Sequence, residues 1–488
     1  MKPLSPTLAC ALAFGSSGAV LVLEIVALRL VGPYVGVTLQ VSSSVIGVSL
    51  AAIAYGAWLG GRLADRVDPR RLIGPALIIA AIGTALTLPL VRWGGEFLRG
   101  GAAPAVLLLA AMAVFPPAFV LAAIPPMVVK LQLSDLREAG TVVGWLSSVG
   151  TLGAITATLI TGFVLVAAMP SSVIILSLAG LLAISGLAFA SSFRSFRVRA
   201  TLSVVGLIGS GLAVTAPTPC DVETAYHCAQ VQSDPARAGG RTLILNSARH
   251  SYVDLNDPRY LEFEYVQWLG AIADAFRPAG EPVDALHVGG GGFTMPGYLR
   301  ATRPGSDQLV LELDGGLVEL DRRSLGLVTG DDLRVRVGDA RVGVAAQPSA
   351  AYDLVIGDAF GYLVVPWHLA TREMAADVSR VLRPSGVYTQ NVIDYPPNRF
   401  IRAEVATVAA VFPHVALIAP PDALAGAAGS NFVIVASRSP LPVSAIRTAL
   451  TGLTSPAELI TDAALTAFVG SAHVLTDDYA PVDQLLAG

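Results

Sequence analysis

The first 216 residues are cut by short Pro/Gly breaks into seven apolar runs, at about 8–31, 41–61, 72–91, 102–124, 141–163, 168–190 and 200–216. Most reach the ~20 residues that a helix needs to cross the hydrocarbon core of a bilayer. This part of the chain is therefore predicted to be a multi-pass helical membrane domain of about seven transmembrane helices. Composition agrees: 53% of the 488 residues are hydrophobic and 14% are charged, where a soluble chain carries about 25% charged residues. The first run is long and many others follow it, which argues against a cleaved signal peptide. The last run, TLSVVGLIGSGLAVTAP, is the shortest.

Basic residues orient the runs. Arg62, Arg66, Arg70 and Arg71 fill the second connection, Lys130 and Arg137 the fourth, and Arg194, Arg197 and Arg199 the sixth. If every run spans, all three connections share one side, and the positive-inside rule makes that side cytoplasmic. Seven crossings then place the second half outside the cytoplasm, and six place it inside. Cys220 and Cys228, close together in CDVETAYHC, tilt the choice outward if they are bonded, although the pair reads equally as two free thiols. Cys10 lies in an apolar run and is expected to be inert. Within the runs, Glu24 and Arg29 are charges that either serve a function or neutralise each other at one interface. GAWLGGRLADRVDPRR (Gly56 to Arg71) resembles the connection between the second and third helices of major facilitator transporters, where Asp65 and the arginines would clamp helix ends; it reads equally as a capped cytoplasmic loop.

The second half is a different object. Residues 1–216 carry 13 Lys and Arg against 6 Asp and Glu, whereas residues 217–488 carry 19 against 30. An acidic domain of this kind argues against nucleic-acid binding, which needs a basic surface. RTLILNSARHSYVDL alternates like two short strands with a turn around Asn246 to Arg249, and YLEFEYVQWLGAIADAF (Tyr260 to Phe276) has helical spacing. Strand and helix then alternate through VDALHV, QLVLELD, LRVRVGDA, YDLVIGDAF, GVYTQNVID and NFVIVAS. Such repetition builds a doubly wound, mostly parallel α/β sheet. The expected division is a transmembrane domain over 1–216, a linker with a small β region and helix over 217–280, and a Rossmann-like nucleoside-binding domain over 281–488.

In a doubly wound sheet, ligands bind at the carboxyl ends of the strands. The first strand of this sheet runs into Gly289, Gly290, Gly291 and Gly292, where no Cβ keeps a ligand from the backbone. The second ends at Glu312, about 20 residues on, where an acid can accept from ribose hydroxyls. The third ends at Asp339 and the fourth at Asp358. Each carboxylate alone could equally be a helix N-cap; three on successive strand tips behind a glycine loop point to a nucleoside site.

These residues bring the chain to a known family. EFEYVQW, the glycine loop, ELD, GDA, YDLVIGDAF and LRPSGVYTQN together resemble the spermidine synthase family of aminopropyltransferases, within the S-adenosylmethionine-dependent methyltransferase fold. LTDDYAPVDQLL, HSYVDL and the apolar first half extend the likeness to the membrane-fused branch of that family. The resemblance implies a membrane-anchored transferase with decarboxylated S-adenosylmethionine, or S-adenosylmethionine itself, as donor, a polyamine or other small amine as acceptor, and no metal. Glu312 would bind the ribose, Asp339 the adenine amino group, and Gly289 to Gly291 would line the methionine-derived tail. Asp358 would deprotonate or orient the attacking amine. Tyr265 and Gln267 fall where the family lines its pocket, and a homo-oligomer is allowed.

Two positions depart from the family. Gly292 replaces the acid of its Gly-Gly-Gly-Asp-Gly loop, and Gly361, followed by Tyr362, replaces the second acid of its Asp-x-x-Asp motif. Asp254, Asp394, Asp477 and Asp478 are the candidate substitutes for gripping a cationic amine, and His250 is a titratable group near them. Asp477 and Asp478 could equally cap a terminal turn. Two other readings stay open: methyl transfer from S-adenosylmethionine, which suits a missing acid at Gly292, and a transporter or sensor whose second half only binds a polyamine or nucleoside.

Overall fold

A computed structural model of the chain describes residues 3–36, 39–99, 103–190, 219–246, 248–361, 364–453, 455 and 457–486. They divide into two compact units, Met1–Cys228 and Ala229–Gly488.

Among the described residues of the first unit, six helices are long and apolar enough to cross a membrane: Pro6–Val35, Leu39–Arg66, Pro69–Leu98, Pro104–Gln132, Ala139–Ala168 and Ser171–Phe189. The seventh run, 200–216, lies outside the described residues. Helix starts follow local chemistry: the Ser5 and Asp68 side chains accept from the amides of Leu8 and Arg70, each just ahead of a proline that needs no amide partner. Small residues let helices approach: a Cβ on Gly56 would lie 2.1 Å from the Phe119 carbonyl oxygen, and one on Gly60 2.4 Å from that of Ala123. Next to this contact Lys130 Nζ binds Asp65 Oδ1 at 2.7 Å, so Asp65 does join two helix ends.

Cys220 and Cys228 are bonded, which settles an alternative that spacing left open. They close a short turn containing Val222–Glu223 (β1). Arg29 donates to the carbonyls of Thr224 in this turn and of Val166, and Glu223 Oε1 accepts from the Ser171 amide at 2.8 Å. A carboxylate there caps a helix start and meets its positive dipole end.

The second unit opens with antiparallel strands β2 (Cys228–Ser233), β3 (Gly240–Leu245) and β4 (Ala248–Asp254). Helix Glu264–Phe276 follows. The main sheet contains β5 (Ala285–Val288), β6 (Gln308–Glu312), β7 (Leu333–Val337), β8 (Tyr352–Gly357), β9 (Leu382–Asp394), β10 (His414–Ala419), β11 (Ser430–Ser437) and β12 (Glu458–Thr461), in the order β12-β10-β11-β9-β8-β5-β6-β7. Strands β5 to β9 pair in parallel, and β10 to β12 extend the β9 edge antiparallel. Both faces are covered, as parallel strands require: Leu286, Val288 and Val355 pack with Phe400 and Phe432, while Leu354 and Ile356 pack with Trp268 and Ile272.

Two strands exceed the six read from the sequence for this sheet. HVALIA (β10) is an unbroken apolar run directly after a helix, so neither period separates it from that helix. ELIT (β12) has four residues, too few for any period to show.

Candidate active site

The chain leaves β5, winds through β6 and β7 on one side, then crosses to β8 on the other. The crevice between the carboxyl ends of β5 and β8 is thus a topological switch point, where such sheets bind ligands. Gly289 begins the loop after β5 with φ +96°, and a Cβ there would lie 2.4 Å from the Asp358 carbonyl oxygen. Only glycine lets the two loops meet so closely.

Two backbone amides orient the carboxylate of Glu312: Gly290 N–H donates to Oε2 at 2.8 Å and Asp314 N–H to Oε1 at 2.9 Å. The acid at the tip of β6 is therefore fastened to the glycine loop after β5. Gly292 N–H donates to Ser251 Oγ at 2.9 Å, tying that loop to β4 as well. A Cβ on Gly292 would fall 2.8 Å from the Ser251 Cβ, so the position is sterically closed to the acid that the resemblance leads one to expect. Asp339, after β7, accepts from the Arg341 amide at 2.7 Å as the N-cap of helix Ala340–Ala345, and its Oδ2 lies 3.3 Å from His368 Nε2.

Asp358, after β8, is held by two side chains from distant elements. Its Oδ2 accepts from the Tyr265 hydroxyl at 3.3 Å and its Oδ1 from Asn391 Nδ2 at 2.9 Å. Asn391 is fixed in turn, because its Oδ1 accepts from Asn431 Nδ2 at 2.9 Å. Burial pushes the Asp358 carboxyl up to about 6, against the pull of the Asn391 and Tyr265 hydrogen bonds. Burial, then the Asp358 charge, raise the Tyr265 phenol well above its usual range, so it stays a donor. Asn391 and Asn431 were missed in the sequence; the available signal was a polar residue inside the buried stretch of β9, which must find a partner.

Tyr265 and Asn391 open onto a cavity of about 360 Å³, also lined by Arg249, His250, Glu262, Phe263, Glu264, Trp268, Phe360, Ile393, Ser430 and Asn431. The remaining sequence-predicted residues fall outside this wall. Gln267 Nε2 donates to the Leu261 carbonyl at 2.9 Å. Asp254 accepts from Arg237 and from the Asn256 amide. Asp394, fully buried, accepts from the amides of Tyr395 and Ile401 at 2.7 and 2.8 Å. Asp477 binds Arg341 at 2.9 Å and the Thr371 hydroxyl at 2.7 Å. Asp478 is exposed beside it, in a turn closed by the Thr476–Tyr479 bridge. Of the substitute acids, each of Asp254, Asp394 and Asp477 spends its carboxylate on the protein's own donors. Gly361 pairs with Val364, and Tyr362 lies outside the described residues.

No family model matches the chain. A polyamine aminopropyltransferase from Vibrio vulnificus is 31% identical over 163 residues, 33% of this chain and 52% of that protein; the chain thus spans about half the length of this curated relative. The crystal structure of a probable spermidine synthase from Corynebacterium glutamicum is matched at 29% identity with a TM-score of 0.50, over 53% of this chain and 96% of that one. The chain therefore has homologues named polyamine aminopropyltransferase and spermidine synthase, and it combines a methyltransferase-like α/β fold with a helical first half that holds six long apolar helices.

Proposed function

We propose that the protein is a membrane-anchored aminopropyltransferase-like enzyme that moves an aminopropyl group from decarboxylated S-adenosylmethionine to an amine. The observation that carries this reading is Asp358, held by Tyr265 and Asn391 at the switch point beside the glycine loop. In the step proposed, the neutral amine nitrogen attacks the methylene next to the sulfonium. The carbon–sulfur bond breaks, its electron pair returns to sulfur, and methylthioadenosine leaves. The amine proton passes to the Asp358 carboxylate. A sulfonium is a good leaving group, so rate comes mainly from alignment of nitrogen and carbon. Glu312 would accept from the ribose hydroxyls, Asp339 from the adenine amino group, and Gly289 to Gly291 would leave room for the donor's tail.

Asp358→Asn tests the role. We expect nucleoside binding to persist by calorimetry while methylthioadenosine release is lost; full turnover in that variant would remove Asp358 from the mechanism. Gly292 favours a second reading, methyl transfer from S-adenosylmethionine, because no acid stands there to repel a methionine carboxylate. A methylated product from the carboxylated donor, with no methylthioadenosine from the decarboxylated one, would decide for it.

The disulfide bears on sidedness. Its turn is tied to Arg29, Val166 and Ser171, at the ends of helices opposite the basic connections around Arg62–Arg71 and Lys130–Arg137. With the basic side cytoplasmic, the chain enters the α/β unit on the extracytoplasmic side, where disulfides persist. Labelling with an impermeant maleimide after reduction of intact cells tests this; labelling only after lysis would reverse the assignment.

A further inference from the structure

Each carboxylate in or behind the cavity wall already accepts from a donor of the protein. Glu262 accepts from the Tyr260 hydroxyl at 2.5 Å, Glu264 from the Ser455 hydroxyl at 2.7 Å, and Asp358 from Tyr265 and Asn391. The cation in the wall is not so engaged. Arg249 is exposed, its guanidinium lies over the Phe263 ring at 5.1 Å from the centroid, and among the described residues its side chain makes no hydrogen bond or ion pair. Asp234 feels its charge, but that carboxylate is already held by the Tyr252 hydroxyl and the Ala236 amide, each at 2.8 Å. Beside Arg249 stand the apolar side chains of Phe263, Trp268, Phe360 and Ile393, which lower the local polarity and strengthen a charge–charge contact made against them.

We propose that Arg249 is the counter-ion of a carboxylate on one of the small substrates that meet in this cavity. A planar guanidinium matches a carboxylate with two parallel hydrogen bonds, whereas it repels a purely cationic polyamine. Phe263, under the guanidinium, has its ring centroid 6.2 Å from that of Tyr265, whose hydroxyl touches Asp358; Tyr265 and Asn391 thus link the cavity wall to the proposed base behind it. Two sources fit the chemistry: the α-carboxylate of an amino-acid-like acceptor, or the methionyl carboxylate of a donor that has not been decarboxylated. The proposal rests on the transfer reading above for what enters the cavity.

Two pairs of probes differ by that one carboxylate: ornithine against putrescine, and S-adenosylmethionine against decarboxylated S-adenosylmethionine. Binding of all four to the full-length protein in detergent is measured by calorimetry, and methylthioadenosine release is followed separately. We expect the carboxylated member of one pair to bind at least about tenfold more tightly, the gain typical of a charge-assisted hydrogen bond. Arg249→Gln should abolish that preference, with the carboxylate-free member binding as well as before or more tightly once the repelling charge is gone, and Arg249→Lys should restore part of it. The preferred pair identifies the source. Preference for the carboxylate-free member in both pairs, or a preference that survives Arg249→Gln, overturns the subsite while leaving the transfer reading in place. A preference lost in Arg249→Gln, with no methylthioadenosine formed from any combination, upholds the subsite and overturns the transfer reading. Absence of all binding overturns both.

Discussion

Replacing Asn391 with alanine isolates the contact that tunes the proposed base. In the native site burial raises the Asp358 carboxyl to about 6 while the Asn391 amide, at 2.9 Å from Oδ1, holds it down. A hydrogen bond to a charged group contributes about 1.5–3 kcal/mol, and each pKa unit is about 1.4 kcal/mol. Losing it should therefore raise the carboxyl by about 1–2 units, to about 7–8. If the carboxylate is the active form, methylthioadenosine release by the native protein rises with pH through about 6. In Asn391→Ala that rise should move up by the same interval, and turnover at neutral pH should fall about two- to tenfold from loss of the ionised fraction alone. The assay is release of methylthioadenosine by the full-length protein from about pH 5 to about pH 9, with nucleoside affinity measured in parallel. Asn431→Ala, which leaves Asn391 in place but frees its amide to rotate, should give a smaller shift of the same sign. An unmoved midpoint in Asn391→Ala, or one that falls, would refute the assignment of Asp358 as the titrating group.

Other expectations follow from the same geometry. Because its carboxyl is raised in the folded state, Asp358 favours folding at low pH and loses that contribution as pH rises through about 6; Asp358→Asn should raise the melting temperature of the full-length protein at pH 8 and not at pH 4. Glu312→Gln keeps one acceptor but turns an amide donor toward a backbone N–H, so nucleoside affinity should drop about tenfold or more by calorimetry. Gly292→Asp should lower the melting temperature, because its Cβ meets that of Ser251; adding Ser251→Gly should rescue it and Ser251→Ala should not. Removing the Cys220–Cys228 bond with a double serine variant should destabilise the protein by about 2–3 kcal/mol, read as a lower unfolding midpoint in denaturant.

The two-part organisation, the glycine loop and the strand-tip acids Glu312, Asp339 and Asp358 are local features, and all were legible in the sequence. Apolar runs of membrane-spanning length and strand–helix alternation are properties of neighbouring residues, so no tertiary contact is needed to see them. What the carboxylates do was not legible. Asp254, Asp394 and Asp477 looked available as amine ligands, yet each is spent on donors brought from elsewhere: Arg237, the Ile401 amide, and Arg341 with Thr371. Spacing carries no record of who supplies the partner. The same holds for the support of Asp358, since Tyr265 lies 93 residues and Asn391 33 residues from it, and Asn431, which holds Asn391, a further 40 residues along the chain. Sequence alone thus determined which residues stand at the strand ends. Only the folded sheet, by setting β8 between β5 and β9 and β9 beside β11, decided which of them meet a partner and which face the cavity.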